Sequence, residues 1–112
     1  MLPKKNRLTK KKDFDKVFSQ GRSVYSGPLG LKFLPNNQEN NRFGFLVSTK
    51  VSKLAVDRNR LKRQLRAIID ICDSDLKQGH DCVFMTKLGA IDLSFGGLEA
   101  TVKKLLKSGR LI

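Results

Sequence analysis

The 112-residue chain predicts a single α+β domain, a four-stranded sheet with three helices in the order αβββαβα. Three observations carry that reading. Apolar residues recur at helical spacing in three segments and at strand spacing in four, in an order that mixes the two types without alternating them strictly. Gly, Pro and Asn punctuate the joints between those segments. At 39% hydrophobic residues, a chain of this length can bury one core and hardly two.

Each element has a local reason. The first helix is expected from about 10 to 19, because Phe14, Val17 and Phe18 follow i, i+3, i+4 spacing, with Gly21 as a left-handed C-cap. Strands are expected at about 22–25 and 29–34, separated by Ser26-Gly27-Pro28. A polar hairpin loop over 35–41 then leads to a strand over 42–48. In that strand Phe43, Phe45 and Val47 share one face, Gly44 and Leu46 the other. The second helix runs to about 72. Leu61, Leu65, Ile68 and Cys72 form its apolar stripe, and Asp57 is its expected N-cap. Gly79-His80-Asp81 turns the chain into 82–86, short and apolar enough for a central strand. Ser94 opens the last helix, whose Leu98, Val102, Leu105 and Leu106 form a buried stripe ending at Gly109. The helices are expected as one layer on the sheet.

Charge points to function. The chain carries 23 Lys and Arg against 10 Asp and Glu, a formal net charge of +13. Seven of those cations, Lys50, Lys53, Arg58, Arg60, Lys62, Arg63 and Arg66, crowd one stretch whose sole acid is Asp57. Asn59, Lys62, Arg63 and Arg66 point away from the apolar stripe, with Arg60 on one flank. Surface helices ordinarily mix signs to avoid self-repulsion, so a face this one-sided needs an anionic partner. Nucleic acid is the leading candidate and an anionic membrane surface the lesser. No apolar run approaches the roughly 18–20 residues of a membrane span. Met1-Leu2-Pro3-Lys4-Lys5 lacks the apolar stretch of a signal peptide. Residues 1–12 hold six basic residues and no acid, so positions 1–9 are expected to form a basic arm that orders on RNA. Cys72 and Cys82 lack metal-ligand spacing and read as reduced, partly buried thiols of a cytoplasmic protein.

Three strings carry a family resemblance. They are Arg7-Leu8 before Asp13-Phe14-Asp15-Lys16-Val17-Phe18 and Gly21, then the run from Phe43 to Lys50, and finally Ala55 to Arg66 with its Arg58-Asn59-Arg60 signature. In this order, length and charge the chain resembles the protein subunit of bacterial ribonuclease P. The resemblance implies a division of labour in which an RNA subunit cleaves precursor tRNA with bound Mg²⁺, while the protein binds that RNA and the 5′ leader of the substrate. It also implies a left-handed crossover carrying the basic helix between two parallel strands. Strand physics alone would give a right-handed connection in about 98% of cases. Asp57, Ser52, Thr86-Lys87 and the uncharged 67–69 run depart from common family choices and weaken local contacts only.

The residues make independent sense of those roles. An RNA duplex hides its bases in a deep, narrow major groove, leaving phosphates, sugars and loops within reach. Arg58, Arg60, Arg63 and Arg66 suit phosphates through their bidentate fork, Lys62 adds a point charge, and Asn59 can bond a sugar or a base edge. Lys50 and Lys53 extend the same surface. Arg58, near the apolar boundary, could instead pair with Asp57 or cap a loop. Phe14 and Phe18 read either as core or as walls of a leader cleft. The resemblance favours the cleft, with positions 29–33 as its floor, Lys32 offering charge to a phosphate, and Phe33 beside it but facing the other way by alternation. Protein-based catalysis has little to stand on, since the one histidine, His80, reads as a satisfied loop residue. Asp70, Asp73 and Asp75 read as terminating the basic helix, with weak hydrated Mg²⁺ binding the minor option. No obligate protein partner is evident. A stand-alone or ribosome-associated RNA-binding module remains the other reading.

Overall fold

The computed structural model describes residues 2–112. Helices α1 (Lys11–Gln20), α2 (Ala55–Cys72) and α3 (Phe95–Ser108) accompany strands β1 (Arg22–Ser26), β2 (Leu29–Pro35), β3 (Arg42–Leu46) and β4 (His80–Thr86). Short 3-10 turns at Lys4–Asn6, Asp73–Asp75 and Ala90–Asp92 fill the joints. The element order is the expected one.

The sheet order is β1-β2-β4-β3, so β4 separates the two strands that the 35–41 loop connects. The expected hairpin is therefore not formed. β4 pairs antiparallel with β2 (Phe33 opposite Cys82) and parallel with β3 (Phe43 opposite Cys82). Cys82, Val83 and Phe84 are buried on both faces of the sheet, and such a strand needs neighbours on both edges. That requirement overrides the short loop. Adjacent parallel strands β3 and β4 are joined through α2, the connection to which the family resemblance attaches a left-handed sense.

The helices divide between the two faces instead of forming one layer. Leu29, Leu31, Phe33, Phe43, Cys82 and Phe84 face α2 and α3, meeting Leu61, Leu65, Ile68, Leu98, Val102, Leu105 and Leu106. Every residue of the two predicted helical stripes is buried there. On the opposite face α1 packs Val17 against Val83 and Leu8, flanked by Phe14, Leu34 and Met85. One short stripe cannot cover four strands, so part of this second face stays open. Gly44 lets α1 approach, since a Cβ there would lie 2.5 Å from the Phe14 ring. Gly44→Ala should push α1 off the edge of the sheet and cost about 1–3 kcal/mol, read from the denaturant midpoint.

Two caps differ from expectation. Gly21 has φ −78°, an extended conformation, and its value is space: a Cβ would sit 2.4 Å from the Val17 carbonyl oxygen. Leu54, not Asp57, is the N-cap of α2, which begins three residues early; Asp57 lies in the first turn, where its charge still favours the helix dipole. Ser94 caps α3 as expected, accepting from the Gly97 N–H at 3.0 Å. The segment expected to form a basic arm is anchored at two points, with Met1 outside the described residues and most of its other side chains exposed. Leu2 and Leu8 are buried, and the Leu8 N–H donates to the Phe43 carbonyl at 2.8 Å along the outer edge of β3.

Both cysteines are buried, and burial pushes both thiols up from their ordinary range. Burial and the raised pKa both disfavour the reactive thiolate. A thiol reagent at mildly alkaline pH should label neither in the native chain and both after unfolding.

Candidate nucleic-acid interface

The cationic face is built from the turn before α2 upward. Val51 is buried in the core and its N–H reaches back to the Ser48 carbonyl at 3.0 Å, which leaves Lys50 and Lys53 exposed on either side. Ser52 Oγ accepts from the Leu54 N–H and donates to Asp57, both at 3.2 Å. Arg58 donates to the Ser52 carbonyl at 2.9 Å, so it caps this loop, one of the two alternatives to a free phosphate ligand. Its guanidinium fixes where Lys50 and Lys53 sit.

Beyond that turn the face is open. Asn59, Arg60 and Arg63 are exposed, Lys62 and Arg66 half-buried. Arg60 touches the Ile91 carbonyl at 3.3 Å, a long bond that leaves most of its donors free. Arg66 lies over the Phe45 ring at 5.7 Å, a cation–π contact that keeps its guanidinium against the protein. None of the ion pairs formed among the described residues uses a cation of α2.

The second part of the interface is the uncovered sheet face. Phe18 is 37% exposed, and Lys32 Nζ stands 5.6 Å from its ring centroid. Phe14 is half-buried against Gly44, so it serves both the small core under α1 and the open surface. Phe33 does not belong here: it is buried on the opposite face, edge-on to His80 and 3.0 Å from the space a Cβ of Gly109 would fill. Strand alternation puts it on the core side, and only Gly30 and Lys32 of the 29–33 floor face α1. Sequence reasoning missed Tyr25, which is 57% exposed and lies over Gly30, with Lys87 Nζ 4.9 Å from its centroid. Met85 and Leu46 extend this strip on β4 and β3. The signal was available in principle, because pairing Tyr25 with Gly30 across the first turn predicts an aromatic ring over a glycine.

Away from this surface the chemistry is structural. Asp81 is buried and receives Arg42 through two bonds of 2.8 and 2.6 Å, plus the Asn36 amide at 2.9 Å. Arg42 also reaches Asp13 on α1 at 3.3 Å, tying that helix to the sheet. Hydrogen bonding to Asp81 raises the Arg42 pKa further, so the charge is permanent. His80 opens β4 instead of lying in a turn, and its Nδ1 is buried with no partner among the described residues. Asp73 and Asp75 form the 3-10 turn that ends α2. Among the described residues no group of three His, Cys, Asp or Glu is placed to hold a metal ion.

A cationic helix with no ion pair among the described residues, together with an open aromatic face on the same small sheet, defines a nucleic-acid-binding α+β protein. The family model for ribonuclease P matches residues 2–109. The chain is 43% identical to a ribonuclease P protein component of Dehalococcoides mccartyi, over 96% of this chain and 87% of that one. It is 41% identical to one from Pseudanabaena, over 100% and 97%. Among solved structures, the RNase P protein of Thermotoga maritima superposes with a TM-score of 0.84 at 26% identity, covering 91% of this chain and 96% of that chain. The RNase P protein of Staphylococcus aureus gives 0.88 at 24%, a likeness of fold, covering 95% and 96%. The chain belongs to the ribonuclease P protein family. It is a protein component of that endoribonuclease, a subunit of the holoenzyme.

Proposed function

We propose that this chain docks on the catalytic RNA of ribonuclease P through α2 and guides the 5′ leader of precursor tRNA across its open sheet face, in the cytoplasm. The observation that carries this reading is that one small sheet presents two such surfaces, the cations of α2 on one side and the exposed rings of Phe18 and Tyr25 beside Lys32 and Lys87 on the other. A single strand lying on that strip would stack bases on rings, which any sequence allows, and set phosphates near the two lysines. Cleavage needs groups this surface lacks. The Mg²⁺ that the family's chemistry uses belongs on this reading to the RNA, and no step is assigned to an ion on the protein. What the chain contributes is binding, orientation and neutralised phosphate repulsion.

The direct test adds the protein to a ribonuclease P RNA and measures precursor-tRNA cleavage at low magnesium. A higher rate is expected, because fixed cations substitute for part of the screening otherwise supplied by Mg²⁺. RNA binding without that rise would favour a stand-alone RNA-binding module instead. Leader recognition has its own readout. Phe18→Leu keeps an apolar helix face but removes the ring, and should weaken precursor binding by about 1 kcal/mol while leaving mature tRNA unaffected. An unchanged precursor-to-mature ratio accompanied by lost thermal stability would make Phe18 a core residue only.

A further inference from the structure

Where Phe14 of the leader strip comes closest to Lys62 and Arg66 of α2, a small cavity opens at the outer edge of β3. It measures about 140 Å³, and its walls include Arg7, Thr9, Phe14, Gly44, Phe45 and Arg66, with Lys62 at the rim. Drug-sized ligands need about 300–1,000 Å³, so this space suits one planar ring system at most. Three cations and no carboxylate line it. β3 is an edge strand whose outer side is paired once, by Leu8 N–H to the Phe43 carbonyl. Backbone groups of a strand alternate sides, so the N–H and C=O of Phe45 also point outward, and they find no partner there among the described residues.

We infer that this cavity seats one unstacked nucleotide of RNA, its base against Phe14 and the edge of Phe45 and its phosphate among Arg7, Lys62 and Arg66. A bare anion would satisfy the cations alone. A base edge brings a donor and an acceptor together, which is what the outward Phe45 backbone offers, and the Phe14 and Phe45 rings give a flat base a surface that a hydrated ion does not use. Arg66, its guanidinium carbon 5.7 Å from the Phe45 ring centroid, closes one wall of the cavity. The inference deepens the RNA-binding reading above by giving the interface a site for a single extruded nucleotide. That nucleotide comes from either the catalytic RNA or the leader.

The test titrates the isotope-labelled full chain with adenosine 5′-monophosphate, adenosine or inorganic phosphate, following backbone amide resonances. The nucleotide should shift Thr9, Gly44 and Phe45 and bind at least about ten-fold more tightly than phosphate, a margin within the range of one base stack. Equal binding by phosphate overturns the inference, as does a response confined to Phe18, Lys32 and Met85. Thr9→Trp, which fills the mouth from an exposed position, should abolish the Gly44 and Phe45 shifts. Should that variant not fold, Arg7→Gln, outside the cationic face of α2, supplies the check by weakening the nucleotide several-fold while adenosine changes little. In the holoenzyme, a loss confined to catalytic-RNA affinity assigns the nucleotide to that RNA, and a lower precursor-to-mature ratio assigns it to the leader. If the same variant changes neither, the pocket is vacant in function and the inference fails, while the salt-dependent docking of α2 stands untouched.

Discussion

Replacing Arg60 and Arg63 together by alanine should weaken binding to the ribonuclease P RNA by roughly ten- to a hundred-fold at physiological salt, since each charge-assisted bond contributes about 1.5–3 kcal/mol before losses to solvent screening. Both side chains are exposed and neither supports the core, so the thermal transition should stay where it is. The decisive measurement is the salt dependence. A docking surface that meets about four to six phosphates gives a steep fall of log affinity with log salt, and two lost contacts should flatten that slope by roughly one to two units. If the slope is unchanged in a well-folded variant, this face is merely solvated and the proposal for α2 is lost. Arg58→Ala should behave differently, because its guanidinium is spent on the Ser52 carbonyl. It should lower stability of the 48–54 turn and weaken binding indirectly, through disordered Lys50 and Lys53.

The largest stability effect is expected at Arg42. Arg42→Met keeps the stem of the side chain and removes the charge that faces Asp81 and Asp13. Asp81 is then left buried with the Asn36 amide as its remaining side-chain donor. Stranding a buried carboxylate in this way costs about 3 kcal/mol, equivalent to a fall in Tm of roughly 10–20 °C for a domain this size. Asp13→Asn should be milder, because that bond is longer and Asp13 less buried. It releases α1 from the sheet edge while Asp81 stays paired. Precursor binding should therefore suffer more than stability in Asp13→Asn, and the reverse should hold for Arg42→Met. Equal effects in both measurements for both variants would show that α1 is held by its apolar contacts alone.

The interface was legible in the sequence to the extent that it depends on periodicity. The cationic face of α2 follows from the spacing of Leu61, Leu65 and Ile68, because a straight helix that buries one stripe must turn the other outward. The same logic placed Phe33 opposite Lys32, and the structure buries the one while the other faces Phe18. Position along a strand is a local property. What lies beside that strand is not.

By itself, then, the sequence determined the element order, the stripes that α2 and α3 bury, and the class of partner, since these follow from side-chain period and net charge. Tertiary structure decided the rest. It inserted β4 between β2 and β3, because a strand apolar on both faces needs two paired edges more than a short loop needs a hairpin. It sent α1 to the far side of the sheet, where Gly44 admits the Phe14 ring and Tyr25, Gly30 and Met85 are left uncovered. It gave Gly21 a role in close packing that no turn rule anticipates, and drew Leu2 and Leu8 out of an expected loose arm into apolar contacts. Each of these outcomes depends on pairs of residues far apart in the chain. Their energies exist only once the sheet has brought them together.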